Sequence, residues 1–361
     1  MKVIISGGGT GGHIYPAVAI ANELKAVNPS IEILFVGAEG KMEMEKVPKA
    51  GYKIIGLPIA GINRSNLLAN IGFPVKLTKS LLKAYKVVKD FRPDFVVGVG
   101  GYASGPTLMM ASFLNIPIFL QEQNSFAGVT NKLLAKRAKK ICVAYPNMDK
   151  FFPSEKIIMT GNPVRKDIVE TASKYEKAIT NFGLEPHKKT LLIIGGSQGA
   201  RSINEAVLEG LNDLLKADLQ IVWQTGKLFI DKAKAAVAQL NTKKIYVSDF
   251  IYEMDLAYSA ADLVISRAGA LSVSELCLAA KPTVLVPFPL AAEDHQTQNA
   301  LSLVNANAAW MVKDAETKAL LIKKTIELAS NQQIMEQLSH NIKAFAKPNA
   351  AKEIVETILG R

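Results

Sequence analysis

The sequence predicts an α/β protein built from two parallel-sheet halves, and three observations carry that prediction. Strand-like runs rich in Val, Ile and Leu alternate with helical stretches along all 361 residues. This is the pattern of parallel strands buried on both faces and joined by right-handed crossovers. A glycine-rich turn follows the first strand of each half: Gly7-Gly8-Gly9-Thr10-Gly11-Gly12-His13 after Val3-Ile4-Ile5-Ser6, and Gly195-Gly196-Ser197-Gln198-Gly199-Ala200-Arg201 after Leu191-Leu192-Ile193-Ile194. The alternation then breaks at Gly161-Asn162-Pro163-Val164 and restarts at Thr190 after a polar stretch, which puts a boundary near residue 163.

In the first half, strands are expected at 2–6, 31–36, 54–57, 95–99, 117–121, 140–144 and 157–160. In the second they are expected at 190–194, 219–223, 244–247, 262–265, 283–286 and 309–312. The domains are therefore 1–162 and 163–341, and residues 342–361 hold a last helix, near 350–359, that returns to the first domain because no strand follows it. No short-period repeat interrupts this plan.

Composition is that of an ordinary globular protein, with 49% apolar and 21% charged residues. No uninterrupted apolar run reaches the roughly 18 residues of a membrane-spanning helix, and the N-terminus reads as a core strand, not a signal peptide. Cys142 and Cys277 sit in apolar runs without metal spacing, as reduced core thiols of a cytoplasmic protein would. The net charge of +11 is uneven: residues 1–162 carry 20 Lys and Arg against 10 Asp and Glu. A basic first half suits nucleic acid, an anionic membrane or a phosphorylated substrate. No aromatic-plus-basic RNA signature, zinc spacing or recognition helix supports nucleic acid.

Each glycine turn opens a helix, where bare backbone N–H groups meet the positive end of the helix dipole and only glycine lets an anion approach closely. Two such turns suggest two phosphate-bearing ligands. Gly7, Gly9 and Gly12 also satisfy the dinucleotide pattern G-x-G-x-x-G, with Glu39 near the position of the expected acid. His13 next to the turn reads as a base, a phosphate donor or a helix cap. Further polar clusters end later strands. They are Gly100-Gly101-Tyr102-Ala103-Ser104-Gly105-Pro106, Gln121-Glu122-Gln123-Asn124, Ser266-Arg267-Ala268-Gly269-Ala270, and Glu293 to Asn299 after Pro287-Phe288-Pro289. Strand C-termini are where open α/β sheets present polar groups to ligands. Glu275, inside the helix after Gly269, suits a ribose diol, and the 293–299 segment suits a sugar.

Taken in order, these segments resemble one family, the bacterial MurG glycosyltransferases of peptidoglycan synthesis. The resemblance rests on GGTGGH at 8–13, GGYASGP at 100–106, EQN at 122–124 and GNPVR at 161–165. It continues through GGSQGARSIN at 195–204, GALSVSE at 269–275 and DHQTQNA at 294–300. It implies a GT-B fold, two Rossmann-like domains facing a deep cleft. It implies transfer of N-acetylglucosamine from UDP-N-acetylglucosamine to lipid I (undecaprenyl-diphosphate-MurNAc-pentapeptide), giving lipid II, with inversion and with no metal or other cofactor. The matching positions put Ser197 and Arg165 on the nucleotide diphosphate, Ile251 on uracil, and Ala270, Leu271, Ser272, Val273, Ser274 and Glu275 on the nucleotide. Gln296 goes to the transferred sugar, and Thr10, Gly11, Gly12 and Asn124 to a sugar or diphosphate. His13, Tyr102, Glu122 and Asn204 fall at positions tied to activity, with His13 the first choice of base and Glu122 the second.

A lipid acceptor implies an anionic membrane as a partner, on the cytoplasmic face of the inner membrane, and leaves room for other cell-wall synthesis proteins. The 64–92 region fits. Lys76, Lys79, Lys83 and Lys86 share one helical face, with Leu77, Leu81, Ala84, Tyr85, Val88 and Phe91 opposite. Leu67, Leu68, Ile71 and Phe73 form an apolar loop near Arg64. Two rivals share parts of the pattern: an NAD(P)-dependent oxidoreductase, through the first glycine turn, and a UDP-sugar epimerase on the same fold.

Overall fold

The computed structural model describes residues 1–61, 72–164, 168, 172–196 and 198–361. Arg64, Leu67, Leu68, Ile71, Arg165 and Ser197 therefore lie outside the described residues. The chain divides into two compact units, Met1–Val164 with Asn349–Arg361, and Arg165–Pro348.

The first unit runs β1 (Lys2–Ser6), α1 (Gly11–Val27), β2 (Glu32–Ala38), α2 (Glu43–Lys49), β3 (Lys53–Leu57) and α3 (Phe73–Phe91). It continues with β4 (Phe95–Gly98), α4 (Ser104–Phe113), β5 (Ile118–Glu122), α5 (Val129–Leu134), β6 (Lys140–Val143) and β7 (Ile157–Met159). Its seven strands lie in the order β3-β2-β1-β4-β5-β6-β7, and the pairs are parallel. The second unit runs α6 (Tyr175–Phe182), β8 (Thr190–Ile194), α7 (Arg201–Lys216), β9 (Gln220–Gln224), α8 (Ile230–Gln239), β10 (Ile245–Ser248) and α9 (Met254–Ala260). It ends with β11 (Leu263–Ser266), α10 (Ala270–Ala279), β12 (Thr283–Leu285), α11 (His295–Val304), β13 (Trp310–Met311), α12 (Ile322–Ser330) and α13 (Gln332–Lys343). Its sheet is also parallel, in the order β10-β9-β8-β11-β12-β13. The last helix, α14 (Ala350–Leu359), belongs to the first unit.

Both sheets reverse direction at the same place, between β1 and β4 and between β8 and β11. The side-chain alternation of β1 explains its unbroken apolar sequence. Val3 and Ile5 pack with Ile14, Ile20 and Leu24 of α1 and with Ile354 and Ile358 of α14. Ile4 points the other way, into the cluster that holds Ala84 and Val88 of α3 and Leu108 of α4. A strand covered on both faces has no polar side to alternate. The α14 stripe Ile354, Val355 and Ile358 is buried against α1, so this helix completes one face of the first sheet.

Helix α3 buries Ser80, Ala84 and Val88, at a spacing of one turn. Lys76, Lys79, Lys83 and Lys86 are all exposed. No helix among the described residues is long and apolar enough to cross a membrane.

Candidate active site

The strand termini at the two reversal points gather most of the residues singled out by sequence. In the first unit, Thr10 caps α1 through its carbonyl, which accepts the N–H groups of His13 (3.1 Å) and Ile14 (3.2 Å). Its hydroxyl serves a different partner, His13 Nδ1 at 3.1 Å. That pairing fixes the half-buried imidazole beside the turn. A Cβ on Gly100 would lie 3.0 Å from the ring, so the glycine after β4 makes room for it. When Nδ1–H donates to Thr10 Oγ1, the lone pair is on Nε2 and the ring can act as a base.

Tyr102 lies over Gly9, and its phenol is raised above its ordinary value first by burial and then by the charge of Glu43. It therefore stays protonated at neutral pH, as a hydrogen-bond donor. Glu43 itself escaped the sequence analysis. Its carboxylate is fully buried at the start of α2 and accepts the N–H groups of Gly9 and Ala38, both at 3.0 Å. A side chain at Gly8 would collide with that carboxylate, so the glycine is needed to admit it. Glu39, the acid the dinucleotide reading required, instead pairs with Lys83 at 2.7 Å on the surface.

Glu122 corrects a sequence expectation. It is buried, and its two oxygens accept Asn124 N–H (3.1 Å), Asn124 Nδ2 (3.4 Å), Gly128 N–H (3.0 Å) and Asn131 Nδ2 (2.9 Å). Burial raises its carboxyl above the usual range, and these bonds pull it partly back. Both oxygens are engaged by its own loop, so Glu122 organises residues 122–128, including Asn124.

In the second unit Gly199 meets the end of β9 backbone to backbone. A Cβ on Gly199, whose φ is +76°, would overlap the Thr225 carbonyl. Asn204 is again a correction. Its Nδ2 donates to Thr225 C=O (2.7 Å) and its Oδ1 accepts Trp223 Nε1–H (3.0 Å), all buried. Both ends of the amide thus hold the scaffold at the end of β9. Ile251 is corrected in part, because its N–H donates to Gln224 Oε1 at 2.9 Å. The backbone group it can present to a base is the carbonyl.

Helix α10 begins at Ala270 after Gly269. Ala270 and Val273 are buried in the core, whereas Leu271, Ser272, Ser274 and Glu275 are partly exposed. The fully buried Tyr258 donates its O–H to Glu275 Oε2 at 3.1 Å, fixing the carboxylate's direction. Gln296 accepts Phe288 N–H at 3.0 Å through Oε1, which turns its Nε2 donors outward. Arg267, nearly buried, donates to the Val286 and Pro287 carbonyls, both at 3.2 Å, and pairs with Asp314. It thereby clamps the turn after β11 to the end of β12. Among the described residues, no cluster of three or more His, Cys, Asp or Glu side chains could hold a metal ion.

Two parallel α/β units, each with a glycine turn where its strand order reverses, define the class of two-domain Rossmann-like proteins that hold phosphate-bearing ligands at such turns. The chain matches the glycosyltransferase family 28 N-terminal domain over residues 3–143 and the family 28 C-terminal domain over 190–354. It is 56% identical over 359 residues to the UDP-N-acetylglucosamine–N-acetylmuramyl-(pentapeptide) pyrophosphoryl-undecaprenol N-acetylglucosamine transferase of Phocaeicola vulgatus, covering 99% of this chain and 96% of that protein. It is 54% identical over 357 residues to the Cytophaga hutchinsonii protein of the same name, covering 99% and 96%. The crystal structure of Acinetobacter baumannii MurG superposes with a TM-score of 0.79 at 31% identity, covering 100% of this chain and 99% of that one. A UDP-GlcNAc 2-epimerase from Neisseria meningitidis shares the fold at a TM-score of 0.69 and 18% identity, over the whole of both chains. The chain belongs to glycosyltransferase family 28 and, within it, to the MurG family, with the GT-B fold.

Proposed function

We propose that this protein transfers N-acetylglucosamine from UDP-N-acetylglucosamine to the 4-hydroxyl of the muramoyl sugar of lipid I, giving lipid II. The observation that carries the reading is full-length identity above one half to transferases named for that reaction.

The donor belongs on the second unit. The N–H groups at the start of α7 take the diphosphate, together with Ser197 and Arg165. Glu275, aimed by Tyr258, takes the ribose diol, and Ile251 C=O accepts the uracil N3–H. Gln296 Nε2 faces the sugar. The acceptor belongs on the first unit, beside Thr10, Gly11, Gly12, His13 and Tyr102.

The reaction is a single displacement. The acceptor oxygen forms its bond to C1 of N-acetylglucosamine as the C1–O bond to UDP breaks, inverting the anomeric centre. The electron pair leaves with UDP, where fixed amide dipoles stabilise the growing charge. The hydroxyl proton passes to His13 Nε2, a step worth about 10²–10⁴-fold when the base is well placed.

The lipid acceptor puts a membrane against the first unit, at the cytoplasmic face. The exposed α3 lysines support this, and so do Leu82 (66% exposed) beside them and Phe113 (69% exposed) on the neighbouring α4. Each basic residue near an anionic surface contributes about 1 kcal/mol. Lys83 is partly neutralised by Glu39, so Lys76, Lys79 and Lys86 carry most of the attraction.

The test is product analysis with UDP-N-acetylglucosamine and a lipid I analogue. A disaccharide product is expected. Conversion to the 2-epimer without transfer would replace this reading with the epimerase one. Vesicle co-sedimentation of the K76E/K79E/K86E variant checks the membrane face, and undiminished binding to anionic vesicles would move it elsewhere.

A further inference from the structure

Gln224 is the last residue of β9, and it is 4% exposed. Its amide bridges two loops. Nε2 donates to the Gly196 carbonyl at 3.1 Å, and Oε1 accepts the Ile251 N–H at 2.9 Å. The orientation needs no choice between amide rotamers, because Gly196 offers a carbonyl and Ile251 an N–H. Gly196 lies in the turn assigned above to the diphosphate, and Ile251 in the loop assigned to the base. Glutamine is the side chain that fits both ends. A glutamate of the same length cannot donate to Gly196, a methionine can do neither, and an asparagine is shorter by one carbon–carbon bond, about 1.5 Å.

The surroundings brace this bridge without replacing it. Gly196 C=O also accepts Gly199 N–H at 3.0 Å, which closes the turn on itself. Thr225 N–H donates to Ser248 C=O (2.9 Å) and Gly226 N–H to Asp249 C=O (3.0 Å), tying the end of β9 to the approach of the base loop.

We propose that Gln224 is a positioning residue that sets the spacing between the diphosphate turn and the base loop, and so tunes the second unit to ligands whose base and diphosphate are joined through one ribose. The proposal rests on the donor-site reading above. A bridge of this kind acts on the linkage between two subsites. Its removal penalises a ligand that spans both more than the separate losses of two ligands that each fill one.

The experiment is calorimetric or competition binding of UDP, uridine and inorganic pyrophosphate to the full-length wild type and Q224M, with KM and kcat measured for UDP-N-acetylglucosamine. The expected result is a UDP affinity loss of about tenfold, the equivalent of about 1.4 kcal/mol, exceeding the product of the uridine and pyrophosphate losses. KM should rise while kcat changes little. If the UDP loss equals or falls below that product, Gln224 is scaffold only and the proposal is overturned. If Q224M does not fold, Q224N is read by the same criterion, because it keeps both functional groups and changes only their reach. Wild type that binds no UDP would overturn the donor-site reading itself, and the proposal with it. Wild type that binds UDP, with variants showing no excess loss, would overturn the proposal alone.

Discussion

Replacing Glu122 separates a structural carboxylate from a catalytic one. The wild-type side chain accepts from Asn124 N–H and Nδ2 on one oxygen and from Gly128 N–H and Asn131 Nδ2 on the other, in a fully buried setting. E122A strands these donors. A buried donor without a partner costs about 1–3 kcal/mol, and loop relaxation recovers part of it, so a loss of about 3–5 kcal/mol is expected. E122Q is milder. Its new NH₂ faces one pair of donors; Asn131 Oδ1, which has no partner among the described residues, can be turned toward it, at the cost of the Asn131 Nδ2 bond to the Gln121 carbonyl (3.2 Å). Gly128 N–H is then the main casualty, at about 1–3 kcal/mol, or about 2–12 °C in the melting temperature of a domain this size.

The sign of the pH dependence also follows. Burial raises the folded-state value of Glu122, so the folded protein binds its proton more tightly than the unfolded chain. The stability it contributes is full below the unfolded value and falls as pH rises through the folded one. Glutamine lacks this titration, so the cost of E122Q is largest in acid and shrinks toward neutral pH. Thermal unfolding from pH 4 to 8, alongside transfer rates, measures both effects. An E122Q protein with wild-type melting temperatures and a thousandfold lower kcat would refute the reasoning and restore Glu122 as a proton acceptor.

Three further outcomes are expected. H13A should lower kcat by about 10²–10⁴-fold while leaving KM for UDP-N-acetylglucosamine nearly unchanged, and steady-state kinetics that show the reverse split would move His13 to the donor. Y258F removes the O–H that aims Glu275, so KM for the donor should rise about 5–30-fold at constant kcat, for a bond to a charged group worth about 1–2 kcal/mol. CDP should compete with UDP-N-acetylglucosamine at least about tenfold less well than UDP, because neutral cytosine has no N3–H for the Ile251 carbonyl and leaves that acceptor unpaired. Equal inhibition constants would mean that Ile251 does not read the base.

Much of the fold was legible because its signals are local. Most strands are apolar runs, several ending in glycine or a polar cluster, and the strand positions follow those runs to within one or two residues. Strand β13 is the shortest of them, two residues where four were expected. The site was legible to the extent that residue type implies role. His13 lies in the first turn of α1, Glu275 in α10 and Gln296 at the start of α11, each in a helix that follows a strand. The internal hydrogen bonds of Asn204 and Ile251 were not legible because their partners lie elsewhere in the chain, Thr225 for Asn204 and Gln224 for Ile251, and no local pattern announces that; Glu122 is engaged within its own loop, by Asn124, Gly128 and Asn131. Glu43 was missed because the stretch Glu43-Met44-Glu45-Lys46 reads as an exposed helix turn. The space that buries it is made by Gly8 and Gly37, which come from elsewhere in the fold. Gln224 could have been found: a polar residue closing the apolar run Ile221-Val222-Trp223 is the same signal that flagged Gln121 to Asn124.

The two glycine turns look alike in sequence, yet their supports differ in charge. Strand β9 neighbours β8 as β2 neighbours β1, so Gln224 and Glu43 brace their turns from corresponding sides. In the second unit the brace is a neutral amide on the Gly196 carbonyl, which adds no negative charge to the turn. In the first unit it is a buried carboxylate that holds the Gly9 N–H. A diphosphate oxygen roughly 6 Å from that charge would be repelled by about 3 kcal/mol at an effective dielectric constant of about 20. That offsets the whole of the about 1.5–3 kcal/mol that one hydrogen bond from the turn to a charged oxygen returns. On the proposed function, this repulsion would direct an uncharged part of the acceptor to the first turn and leave its anionic linkage to the cationic surface of this basic domain. E43Q tests the asymmetry. If the variant folds and its affinity for a diphosphate-bearing acceptor analogue is unchanged, the carboxylate exerts no such repulsion and the two turns are equivalent after all.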